Sequence, residues 1–166
     1  MQTSPAKNGD DGYTDIIGGK RLPKNHPIVE CLGTIDELNA FLGDAKSMLG
    51  DIYIANIIDK IQKDLYVLMG VIAGMPVPAD GMGKEYLVAE IKKLESELPS
   101  FVSFVVPGAS PASARLHIAR TVCRRAERRM IGLGLDEKTE TAVIPYINRL
   151  SNLLFLLAQK EAGSSR

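Results

Sequence analysis

The densest concentration of potential chemistry lies in ARLHIARTVCRRAERR, residues 114–129, where arginines at 115, 120, 124, 125, 128 and 129 face one acid, Glu127. That is a formal excess of about five positive charges on one segment of a chain whose net charge is +0. Helical spacing divides the excess. His117, Arg120, Arg124, Glu127 and Arg128 recur at three- and four-residue steps and share a face, whereas Arg125 and Arg129 point elsewhere. The shared face lies beside Ala119, Cys123 and Ala126. An isolated buried guanidinium is too costly to persist, so arginines at such a border are either paired with carboxylates or directed at an anionic ligand. Asp36, an acid inside the first apolar segment, is a candidate partner for Arg120. The alternative is a solvated face whose arginines pair along the helix with Glu127, and composition leaves both open.

A second anion-suited group is KNGDDGYT, residues 7–14. Its glycines let backbone N–H groups turn toward a phosphate, and Lys7, Thr14, Lys20 and Lys24 add charge and hydroxyl contacts. The GxxxxGK[ST] spacing of a Walker loop is missing, so an ordinary turn is the competing reading. A third group is the polar string Asn148, Arg149, Ser151, Asn152 inside an apolar helix. Asparagine is a poor helix former, so its presence near a core face suggests a hydrogen-bonding task. His26 and His117 lack companions at ligand spacing, so no side-chain metal site is expected.

These groups are carried by a helical pattern. Residues 1–27 show neither helical nor strand periodicity and read as loop, and nothing in the chain reads as a sheet. Apolar residues then recur at three- and four-residue steps over 28–49, 52–73 and 84–98. Ser110 as N-cap and Pro111 at the first helical position start a fourth helix that reaches about Leu133. A break over 132–138 precedes a last helix through Tyr146, Leu150 and Leu157, with Pro145 in its first turn or as a kink. Apolar stripes this wide call for an antiparallel bundle of about five helices in one domain, 28–166, behind an N-terminal loop, 1–27.

The 166 residues are 45% hydrophobic and 24% charged, the balance of a globular protein. The neutral total and the lack of aromatics between the arginines oppose nucleic acid as a partner. Cys31 and Cys123 sit inside apolar patterns and read as reduced core residues. No apolar run approaches the ~20 residues of a spanning helix, and the first thirty residues hold no apolar leader core, so no membrane and a cytoplasmic setting are expected.

In order, the segments KNGDDGYT, GGKRLPKNHPIVECLGTIDELNAFLG, FVVPGASPASARLHIARTVCRRAERR and YINRLSNLLFLLAQ resemble the PduO-type corrinoid adenosyltransferases. The resemblance implies a ferritin-like four-helix core assembled as a homotrimer, with ATP between adjacent subunits. It implies transfer of the 5′-deoxyadenosyl group of ATP to the cobalt of cob(I)alamin, with Mg2+ carried by the phosphates. Lys7, Asn8, Gly9, Asp10, Gly12, Tyr13, Thr14, Lys20 and Lys24 match its nucleotide-binding loop, and Arg124, Glu127, Arg128 and Asn148 its ATP-contacting helices. Arg120 matches an arginine that pairs with the aspartate of GTxDEL, here Asp36, across the subunit boundary. Phe104 and His117 match the corrinoid side, where Phe104 displaces the lower axial base. An electron donor such as flavodoxin or a flavin reductase, and an adenosylcobalamin-dependent acceptor enzyme, are the implied partners. Asn8, Ala109 and Asn152 depart from the usual Thr, Gly and Asp.

Overall fold

The computed structural model describes residues 9–17, 19–78, 82–99 and 105–164. Five helices follow a short hairpin: β1 (Tyr13–Asp15), β2 (Arg21–Pro23), α1 (Pro27–Ser47), α2 (Ile52–Ile72), α3 (Lys84–Glu97), α4 (Pro111–Ile131) and α5 (Glu137–Ser164). Each long helix begins where a side chain satisfies an orphan backbone N–H. His26 accepts from Ile28 N at 3.2 Å, Asp51 from Tyr53 N at 2.8 Å, and Ser110 from Ser113 N at 3.1 Å. The start expected at Ser110–Pro111 is therefore the observed one.

The apolar stripes merge into one core. Ile35, Leu38 and Leu42 of α1, Ile58, Ile61 and Leu65 of α2, Leu116 and Ala119 of α4, and Leu150, Leu154 and Leu157 of α5 are all fully buried. α4 packs most extensively on α5 and on α1, α3 packs on α5, and α2 packs on α1. Both cysteines lie in this core. Burial raises the Cys31 thiol to about 11 and pushes Cys123 up as well, which leaves both as unreactive thiols.

Three sequence expectations need correction. The leader is not wholly loop: Tyr13, Thr14 and Asp15 pair antiparallel with Pro23, Leu22 and Arg21. Strands of three residues are too short to show alternation, and Arg21 holds them by bonding Asp11 at 2.7 Å and Asp15 at 3.3 Å. The last helix begins at Glu137, inside the expected break, and of the two places open to Pro145 the structure takes the one within the helix. Its start is anchored by Asp136, which accepts from Thr139 N at 3.1 Å and from Thr139 Oγ1 at 2.7 Å. Finally, residues 137–163 of α5 are long and apolar enough to span a bilayer, with mean hydropathy 1.3 in the best window, yet 56% of that window is buried in the bundle. The apolarity of α5 is that of a helix touching α2, α3 and α4.

The Ser110 cap sets the origin of the arginine helix. Ser110→Ala is expected to lower stability by about 1 kcal/mol, read as a shifted denaturant midpoint with an unchanged slope. An unchanged midpoint would mean that the cap contributes nothing. Both native cysteines should resist iodoacetamide and alkylate only after denaturation, as mass spectrometry would record.

Candidate functional site

Five of the six arginines of α4 fall into two populations by what faces them, and exposed Arg128 belongs to neither. Arg115, Arg125 and Arg129 turn to α1: Arg115 Nε meets Asp44 at 2.7 Å, Arg125 meets Glu37, and Arg129 meets Glu30 at 2.9 Å and also donates to the Thr34 hydroxyl. Glu30, Glu37 and Asp44 recur every seven residues, so one face of α1 matches one face of α4. Such partly exposed pairs contribute little each, about 0–1 kcal/mol, and they use up half of the arginines.

Arg120 and Arg124 are different. Among the described residues neither has a carboxylate within ion-pair distance, and the Arg120 Nε is buried without a hydrogen-bond partner. Both open onto a cavity of about 450 Å3 between α3, α4 and α5, whose walls include Glu95, Leu98, Ser151, Asn152, Phe155 and Leu156. Farther along α5 a second cavity of about 370 Å3 is lined by Lys84, Val88, Glu127, Pro145, Asn148 and Arg149. The order of these residues shows α5 forming a common floor, with α3 running beside it and α4 running against it. Glu127 does not pair along its own helix; it accepts from Asn148 Nδ2 at 2.9 Å. The Asn148 carbonyl in turn accepts from Ser151 Oγ at 2.9 Å. Arg128 Nη1 donates to the Arg124 carbonyl at 3.0 Å. The solvated-face alternative thus fails for the helix as a whole.

The leader residues gather on another side. Gly9 and Gly12 have φ of 144° and 83°, a geometry open to glycine, and close a turn through Gly12 N to Gly9 O at 3.2 Å. Lys24 N donates to Gly12 O at 2.8 Å, and the Lys24 ammonium would lie 3.3 Å from a Cβ at Gly9. Gly9, Gly12 and Lys24 are therefore one cluster. Asp10, Tyr13 and Lys20 are exposed nearby. Thr14 and Asp15 border a third cavity, about 490 Å3, with Leu32 and Asp36 of α1 and Tyr66 and Met69 of α2.

Asp36 therefore belongs to the hairpin side and Arg120 to the groove, and no pair forms between them within one chain. The cause is the two-sided use of α1, which turns Glu30, Glu37 and Asp44 to α4 and Leu32 and Asp36 to the hairpin and α2. His117, expected on the corrinoid side, is 3% exposed and is not among the side chains lining the arginine cavity. Lys7, Asn8 and Phe104 lie outside the described residues. Phe155 was missed as a site residue, although 148, 151, 152 and 155 follow helical steps and so place it on the face of Asn148. Among the described residues no three His, Cys, Asp or Glu side chains converge as a metal site.

Residues 5–161 match the family described as cobalamin adenosyltransferase. The chain belongs to that family. Among curated cobalamin adenosyltransferase relatives, the corrinoid adenosyltransferase PduO of Salmonella typhimurium is 35% identical over 93% of this chain and 48% of its own length. The corrinoid adenosyltransferase of Bacillus subtilis is 37% identical over 92% of this chain and 83% of its own. The chain spans about half the length of the PduO relatives from Salmonella and Citrobacter freundii. A variant PduO-type ATP:corrinoid adenosyltransferase from Lactobacillus reuteri, complexed with cobalamin and ATP, superposes with a TM-score of 0.83 at 32% identity, covering 95% of this chain and 91% of that one. A second variant of that enzyme, complexed with ATP, gives 0.82 at 34% identity, covering 93% and 91%.

The Glu127–Asn148 bond ties α4 to α5 at the groove. Asn148→Asp sets two carboxylates against each other and is expected to cost about 1–3 kcal/mol, measured by chemical denaturation at neutral pH. A variant as stable as the parent would show that the bond does not fasten the groove.

Proposed function

We propose that the protein is an ATP:cob(I)alamin adenosyltransferase, active as a homotrimer whose sites lie between subunits. The observation that carries this reading is the pair Arg120 and Arg124, charged, without carboxylate partners among the described residues, and set on a groove with an apolar wall. A polyphosphate supplies the negative charge missing at Arg124 and a neighbouring copy that missing at Arg120, and the wall of Leu98, Phe155 and Leu156 suits the flat, largely apolar face of a corrin. The relatives' names, and the ATP and cobalamin held by the Lactobacillus reuteri structures, point the same way.

The leader cluster of Gly9, Gly12 and Lys24 is built for phosphate yet lies on the α1–α2 side of its own chain. A neighbouring copy brings it to the groove, and the same docking sets Asp36 against Arg120. One contact then serves two ends: it neutralises a half-buried arginine and closes the triphosphate site. Lys20, Thr14 and, from outside the described residues, Lys7 and Asn8 belong to this closing edge. Glu127, Arg128 and Asn148 hold the nucleoside end.

In the transfer, the electron pair of cob(I)alamin cobalt forms the bond to C5′ of ATP. The C5′–O bond breaks, and its electron pair leaves with the triphosphate. No protein nucleophile is required. The chain's task is to align the two substrates and to stabilise the charge that grows on the leaving group, through Arg124 and Lys24. Mg2+, if bound, would further offset the charge of the phosphates. Phe104 is assigned to the lower face of the corrin, where excluding a base or water eases reduction of cob(II)alamin before attack. A cytoplasmic setting, an electron donor of the flavodoxin or flavin-reductase kind, and an adenosylcobalamin-dependent acceptor belong to the same proposal.

Incubation with ATP, Mg2+ and chemically reduced cobalamin should produce adenosylcobalamin, followed by its visible spectrum, together with one triphosphate per turnover. Arg124→Ala should weaken ATP binding and lower turnover by about 10²-fold or more. Phe104→Ala should lower turnover far more than ATP affinity. Nucleotide and corrinoid binding with no transfer by the unsubstituted protein would instead make it a ligand sensor.

A further inference from the structure

One buried polar side chain beside the arginine groove has no part in the transfer chemistry. His117 is 3% exposed. Its Nε2 lies 3.3 Å from the side-chain nitrogen of Gln159, and its Nδ1 is buried with no hydrogen-bond partner. Its ring meets that of Phe155 at 6.0 Å between centroids and 62° between planes, an edge-on contact. Phe155 is itself a wall of the cavity that holds Arg120 and Arg124. Burial, with the nearby Arg120 charge, holds the imidazole below its usual range, so it is uncharged near neutral pH.

An apolar residue of similar size would fill this position without stranding a nitrogen, and buried polar atoms without partners are rare enough to need a reason. The reason lies in orientation. A phenyl ring has broad freedom about its last torsion, and an edge-on aromatic contact is directional. An imidazole whose own plane is set by Gln159 passes that direction on to Phe155.

We propose that His117 is a positioning residue: tied to Gln159 on α5, it fixes the Phe155 ring as the rigid apolar wall against which the corrin is held. The inference rests on the groove being the corrinoid site. His117 does not touch the substrates; it acts through Phe155. A wall ring held in one attitude keeps the corrin face packed and water out, whereas one that swings admits water to the metal. The consequence falls on corrin reactivity and leaves the nucleotide end, at Glu127 and Asn148, unaffected.

The test compares His117→Ala, His117→Phe, Gln159→Leu, Phe155→Ala and the His117→Ala/Phe155→Ala double variant with the parent protein. Turnover, KM for ATP, thermal midpoint and the visible spectrum of bound cob(II)alamin with ATP are recorded for each. His117→Ala should lower kcat about tenfold while KM for ATP changes less than about twofold, and should alter the cob(II)alamin spectrum. The double variant should be no worse than Phe155→Ala, because the two act on one element. His117→Phe and Gln159→Leu keep the volume but break the tie, so they carry the test if the alanine variant does not fold; each should show a smaller loss of the same kind. Losses that multiply in the double variant, or a lowered thermal midpoint with unchanged kcat and spectrum, overturn the proposal. A parent protein that binds no cobalamin removes the corrinoid reading of the groove, and this inference with it. A parent that binds and converts cobalamin, with His117 variants like it, removes the inference alone.

Discussion

Charge balance along α4 is the constraint on which the rest of the structure turns. Six arginines on one helix of a neutral protein must find partners, and α1 supplies them to three through Asp44, Glu37 and Glu30. Those pairs are individually weak, but they place α4 so that Arg120 and Arg124 face the groove over α5. Among the described residues neither has a carboxylate partner, and the buried Nε of Arg120 has no hydrogen-bond partner. A site left in this state is poised for an anion from outside the chain.

The same logic underlies the proposal that the site is completed by a second copy. Its phosphate-suited turn, built from Gly9, Gly12 and Lys24, is held by the hairpin over α1 and α2, while the arginines lie on the other side of the bundle. Asp36 and Arg120 are likewise separated. In the proposed assembly, head-to-tail docking of copies would bring the two sets of groups together, and a rotation that closes would give a ring. Membership of the cobalamin adenosyltransferase family fits a division of labour in which the substrates carry the reactive centres and the protein supplies alignment and charge.

Much of this was legible in the residues. The helical periodicity of α1 to α4 and the Ser110–Pro111 start stand in the structure nearly as written, because each rests on local chemistry. The hairpin was invisible because three-residue strands held by Arg21, Asp11 and Asp15 leave no alternation to detect. The residues left two places for Pro145, and the one inside α5 holds because its helix-breaking tendency is outweighed by the Asp136 cap and by burial of Val143, Tyr146 and Ile147. The sorting of the arginines needed coordinates, since spacing tells which residues share a face but not which neighbouring helix that face meets. His117 shares the helical face of Arg120, yet its depth, 3% exposed, could not be read from spacing.

The central claim, that arginines of one copy and the leader of another complete a single site, is tested most directly by mixing two crippled chains. Lys24→Ala and Arg124→Ala variants, each purified alone, should have little activity. Co-expressed under different tags and isolated as mixed oligomers, they should regain adenosyl transfer, because some boundaries then join an intact Lys24 to an intact Arg124. Mixed oligomers as inactive as either parent would contradict the claim and return both residues to one chain's own site.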